Sequence, residues 1–80
     1  MTAKEMFEEL GYEIELDNKM ELVYIREFNH DGYDDVETNK IIFDKIHYLV
    51  SCTNQGYYIP ISFIELKAIN KQIEELGWED

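Results

Sequence analysis

One cysteine, one proline, four glycines and 7 basic residues against 18 acidic ones are the scarcities of this 80-residue chain. A lone thiol, Cys52, excludes an internal disulfide framework and a zinc site built from cysteines, and it makes a reducing intracellular compartment the expectation. No apolar run approaches the length of about 18 residues that a membrane-spanning helix needs, and Met1-Thr2-Ala3-Lys4-Glu5 opens a helix pattern without an apolar leader, so a cytoplasmic protein is expected. The shortage of base leaves a formal net charge of -11. Such a charge repels nucleic acid and anionic membrane, so neither is expected to be bound directly, and a charged partner should present a basic surface.

What is present suffices for a core. The chain is 45% hydrophobic and 14% aromatic. At this length a single domain, residues 1–80, should bury roughly 60–65% of the surface its unfolded chain exposes. The acid is unevenly spread: residues 1–39 hold twelve acidic and three basic residues, a net -9, while residues 40–80 hold six and four, a net -2. Solubility asks for a net charge of about 2 to 8 in a small domain, so the first half exceeds it.

Two helices are expected to bracket a run of strands. Thr2 with Glu5 forms a capping box ahead of Ala3, Met6, Phe7 and Leu10, an apolar face at helical spacing, and Gly11 ends the helix. Ser62 with Glu65 repeats the box, Ile61 and Leu66 stand where a hydrophobic staple would, and Leu66, Ile69, Ile73 and Leu76 form a stripe that Gly77 ends. Both helices close on the same chemistry, Glu-Glu-Leu-Gly followed by an aromatic, Tyr12 or Trp78, placed to fold back on Phe7 or Ile73. Between them the period falls to two. Tyr12, Ile14 and Leu16 lead through a turn at Asp17-Asn18-Lys19 into Met20–Phe28, and Asn29–Glu37 reads as the longest loop. Lys40–Phe43 and Ile46–Ser51 read as two strands or one bent strand, Thr53–Gly56 as a turn, and Tyr57–Ile59 as a short strand ended by Pro60. The expected fold is α+β: an N-terminal helix, an antiparallel sheet of four to five strands and a C-terminal helix, with both helices on one sheet face.

No catalytic residue is assigned. The sequence has no glycine-rich phosphate loop, nucleophile elbow or zinc-protease motif; a nucleophile and base pair would have to be Cys52 with His30 or His47, and Cys52 reads as a small core residue and His47 as a strand residue instead. No cofactor is expected, and no metal site is assigned. Aligned on Gly32, Glu27, Asn29, Asp31 and Asp35 take positions of a calcium loop, but Thr38 stands where a bidentate glutamate is required. Weak, non-specific divalent binding by Asp31, Asp34, Asp35 and Glu37 is the most the loop allows.

The stretches Thr2-Ala3-Lys4-Glu5-Met6-Phe7-Glu8-Glu9-Leu10-Gly11-Tyr12 and Ile69-Asn70-Lys71-Gln72-Ile73-Glu74-Glu75-Leu76-Gly77-Trp78 resemble the two ends of a family of small phage and prophage proteins of Gram-positive bacteria. The resemblance covers about 25 residues, helices and caps, and implies a shared scaffold and the cytoplasm of a bacterial host; it carries over no binding motif. Three functions follow as expectations. The first is an inhibitor of a bacterial antiviral defence nuclease, of the anti-CRISPR type, that mimics nucleic acid in the basic groove of a host protein such as a CRISPR effector nuclease. The second is an adaptor that binds another host or phage protein through aromatic anchors, with Tyr33, Tyr57, Tyr58 and Trp78 as candidates. An enzyme or metal protein is the third and lacks a constellation. The partner-binding residues expected are Glu13, Glu15, Asp31, Asp34, Asp35, Glu37, Tyr33, Tyr57 and Tyr58, on a monomer or weak homodimer, since a sheet face without helices leaves pairing open.

Overall fold

A computed structural model of the chain describes residues 1–29 and 36–78. The element order is α1 (Ala3–Glu9), β1 (Glu13–Asp17), β2 (Glu21–Asn29), β3 (Val36–Asp44), β4 (Leu49–Asn54), β5 (Tyr57–Tyr58) and α2 (Phe63–Leu76). The five strands form one antiparallel sheet in sequential order, β1-β2-β3-β4-β5. The fold is α+β, as the alternation of helical and two-residue periods requires.

Both helices start on complete capping boxes. Thr2 Oγ1 accepts from the Glu5 N–H while Glu5 Oε1 accepts from the Thr2 N–H, and Ser62 and Glu65 repeat the exchange. Both end on the paired bonds of a Schellman motif. The Tyr12 N–H donates to the Phe7 carbonyl and the Gly11 N–H to Glu8, as the Trp78 N–H does to Ile73 and the Gly77 N–H to Glu74. Gly11 and Gly77 take φ of 89° and 74°, a region closed to most side chains.

Strand register fixes which residues share a face. Leu22 pairs with Phe43 and Tyr24 with Ile41 across β2 and β3, and these four side chains join Phe7, Tyr12, Ala68 and Ile69 in the core under the helices. Phe7 is its centre. The ring stacks on Tyr24 at 4.0 Å and meets Tyr12 and Phe43 edge-on at 5.8 and 6.3 Å. Tyr12 therefore folds back on Phe7 as expected, whereas the Trp78 ring packs edge-on against Phe43 and Tyr48.

α2 is rotated from the expected stripe. Ala68, Ile69 and Gln72 are its buried residues, Ile73 and Leu76 are half-buried, and Leu66 is 40% exposed. Ile61 is exposed as well, so the staple positions stay open to solvent. The rotation brings a polar residue inward, and its amide has a use: the Tyr24 hydroxyl donates to Gln72 Oε1 at 2.6 Å in a buried bond. Burial pushes the Tyr24 hydroxyl pKa up to about 12, so the phenol stays a donor. Tyr24→Phe should leave the Gln72 amide without its donor and cost about 1–3 kcal/mol, seen as a lower urea midpoint at unchanged slope. The double variant with Gln72→Leu should recover most of that loss.

The strand boundaries differ from the sequence reading in the middle of the chain. Asn29 pairs with Val36 and Phe28 with Glu37, so the ladder runs three residues into the expected nine-residue loop and takes Glu37 into β3. β4 begins at Leu49 rather than Ile46, because Lys45–Tyr48 form the turn, with the Asp44 carboxylate accepting from the N–H groups of Ile46 and His47. Tyr48 takes φ of 57° there, the left-handed residue of a four-residue hairpin turn. β4 then continues through Asn54 and turns on Gln55 and Gly56, both at positive φ, as a two-residue hairpin demands.

Candidate functional site

Of the expected binding residues, Glu13 and Glu15 lie on one edge of the sheet, Tyr57 and Tyr58 on the other, and Glu37 on the central strand β3. β1 is one edge, and all five of its residues are exposed. Glu13 pairs with Ile25 and Leu16 with Val23, with a register shift between Ile14 and Leu16. That bulge breaks the plain alternation that would have set Glu13 and Glu15 about 6.7 Å apart on one face. Glu15 instead accepts from Lys40 Nζ at 3.3 Å. The pair spans from β1 to β3 over Ile25, which explains why Ile25 is only 9% exposed on a face that no helix covers. Asp17 binds Lys45 Nζ at 2.9 Å in the same manner at the hairpin end.

The carboxylates beside these pairs stand alone. Glu13 opposite Ile25, and Glu21 and Glu27 on β2, lie in register on the helix-free face, and their carboxylates make no ion pair or hydrogen bond among the described residues. Along β2 the rows of Glu13 and Glu27 are two residues, or about 6.7 Å, apart. Glu37 lies on the opposite sheet face, where Asn54 Nδ2 donates to its Oε2 at 3.3 Å and to Asn39 Oδ1 at 2.7 Å. Asp31, Tyr33, Asp34 and Asp35 lie outside the described residues, as do the remaining positions of the calcium alignment at Asp31, Gly32 and Asp35. Glu27 of that alignment sits on a strand, where the motif needs a helix.

β5 is the other edge, four strands or about 19 Å from β1. Tyr57 and Tyr58 are 78% and 83% exposed there, on opposite faces because consecutive strand residues alternate. Trp78 is half-buried, packed against the core. The sequence reading missed the exposed apolar neighbours Phe63 and Ile64, in the first turn of α2. Their signal was in the charges: from Tyr48 to Ile64 there are seventeen residues without one Asp, Glu, Lys or Arg, in a chain that is 31% charged.

Besides Tyr24, three titratable groups at the core are shifted: Tyr12, Glu65 and Cys52. The Tyr12 hydroxyl donates to Glu65 Oε2 at 2.5 Å, and burial with this bond raises the tyrosine well above its ordinary range. Burial opposes ionisation of Glu65, but hydrogen bonds from Tyr12 and Ser62 outweigh it and hold the carboxyl below its usual value. Burial raises the Cys52 thiol, which packs half-buried on the core and is thereby a poorer nucleophile. Among the described residues no three His, Cys, Asp or Glu side chains gather as a metal site, and no helix is long and apolar enough to cross a membrane. The chain matches no family model, no curated protein and no solved structure in the three comparisons.

Proposed function

We propose that the chain is a non-catalytic acidic inhibitor of a bacterial antiviral defence nuclease, of the anti-CRISPR type, that occupies the basic groove in which the nuclease holds nucleic acid. One observation carries this reading: Glu13, Glu21 and Glu27 share the helix-free face with no basic partner among the described residues, while Lys40 and Lys45 are engaged by Glu15 and Asp17. Carboxylates without partners among the described residues are groups that can meet lysine and arginine of another protein. The phage setting rests on the resemblance of the two helical ends.

A titration of candidate effector nucleases with the purified protein tests the reading. Cleavage should be blocked, excess non-target DNA should compete, and affinity should fall steeply between 50 and 200 mM salt, conditions chosen to span the screening range. Binding that is flat in salt and indifferent to DNA rejects mimicry. A second reading, an adaptor that holds a partner through aromatic contacts, is favoured by the exposed Tyr57, Tyr58 and Phe63 in the charge-free stretch. It predicts the salt-insensitive outcome.

A further inference from the structure

The helix-free face is banded rather than uniformly acidic. Register places Leu16, Val23 and Ile42 in one row across β1, β2 and β3, flanked by the row of Glu13, Ile25 and Lys40 on one side and that of Glu21, Asp44 and Leu49 on the other. At the hairpin end the apolar row opens into a groove of about 370 Å³. Ile42, Leu49, Met20 and Ile46 supply its apolar lining, the last three between 55% and 65% exposed, and Glu21 and Asp44 stand on its rim.

We propose that this groove is a docking site for a partner-protein segment that presents a bulky aliphatic or aromatic side chain between lysines or arginines. Charge complementarity selects that occupant. Glu21 has no basic partner among the described residues; of the lysines in the two adjoining turns, Lys45 is spent on Asp17 Oδ1 at 2.9 Å and the Asn18 carbonyl at 2.7 Å, and the exposed Lys19 is not among the residues lining the groove. Among the described residues that line the groove the one base is His47, whose imidazole lies 2.9 Å from Asp44 Oδ2. Two N–H bonds from Ile46 and His47 to Asp44 Oδ1 leave that carboxylate ionised, with its pKa lowered by the His47 backbone and side-chain bonds. An acidic rim repels phosphate ligands, and a second copy of a chain with net charge -11 would set acid against acid. An apolar anchor flanked by positive charge satisfies both the floor and the rim.

The site deepens the reading of a basic partner and rests on it, and three peptides separate the two. The probes are Lys-Lys-Leu-Phe-Lys-Lys, its charge-only control Lys-Lys-Ser-Ser-Lys-Lys, and Glu-Glu-Leu-Phe-Glu-Glu, each titrated into the full chain while amide shifts are followed by NMR. The first should bind at least about 5-fold tighter than the second, with the largest shifts at Met20, Ile42, Ile46 and Leu49, and the third should not bind. Ile46→Ser with Leu49→Ser should erase the difference and leave the affinity of the charge-only peptide; both side chains are mostly exposed, so a melt alongside should show the fold intact. Equal binding of the two basic peptides overturns the docking site and leaves the acidic surface standing. Absence of binding by both overturns the site and the basic-partner reading together. Shifts of the groove amides with protein concentration alone, or binding of the acidic peptide, overturn the site in favour of self-association or of a purely apolar partner.

Discussion

Phe7→Ala should cost about 3–5 kcal/mol, and a chain this short holds little more than that in total. The expected result is a protein largely unfolded at 25 °C, with lost near-ultraviolet circular dichroism and a denaturation midpoint close to zero urea. Phe7 is fully buried, and its ring, the one aromatic of α1, meets those of Tyr12, Tyr24 and Phe43 at once. Truncation would leave a cavity walled by three rings, none of which can collapse into it without leaving its own contacts. Phe63→Ala is the matched comparison, since that ring is 70% exposed, with the Lys67 ammonium over it at 4.7 Å from the centroid. It should change stability by less than about 0.5 kcal/mol. Similar losses for the two phenylalanines would mean that α1 does not lie on the sheet as described.

The same contrast shows what the sequence could disclose. Helix ends were legible because capping is local: Thr2, Glu5, Ser62, Glu65, Gly11 and Gly77 act within four residues of one another, and each does in the fold what its chemistry promises. Which side of α2 faces inward was not local. Counting apolar residues favours Leu66, but the helix turns Gln72 inward because the Tyr24 hydroxyl, 48 residues away, needs an acceptor once it is buried. The start of β3 was hidden for a related reason. Val36-Glu37-Thr38-Asn39 shows no two-residue apolar period, since its inward positions are filled by Glu37 and Asn39, which bond to Asn54 across the sheet. At the candidate site, composition announced the acid but not its partners. The bulge after Ile14 assigns Glu15 to Lys40 and leaves Glu13 alone, a distinction that exists only once three strands are in register.

Reversing Glu13 and Glu27 to lysine should weaken binding to a basic partner by about 10-fold or more, mostly through slower association, because both carboxylates are exposed and neither has a partner among the described residues. The two changes move the net charge from -11 to -7, a shift of two units for each residue. Stability should hold or rise, since no internal contact among the described residues is lost and self-repulsion falls. A thermal melt run beside the inhibition assay therefore separates a binding defect from unfolding. Glu15→Lys is the instructive control: it removes an acid from the same edge but also sets two cations together over Ile25, so it should lower stability where Glu13→Lys does not. Asp31→Lys with Asp34→Lys extends the test to the acid that the sequence concentrates between β2 and β3. If both reversed pairs inhibit as well as the parent protein, phosphate mimicry fails. The working surface then moves to the opposite edge of the sheet, where Tyr57→Ala and Tyr58→Ala should abolish binding without changing its dependence on salt.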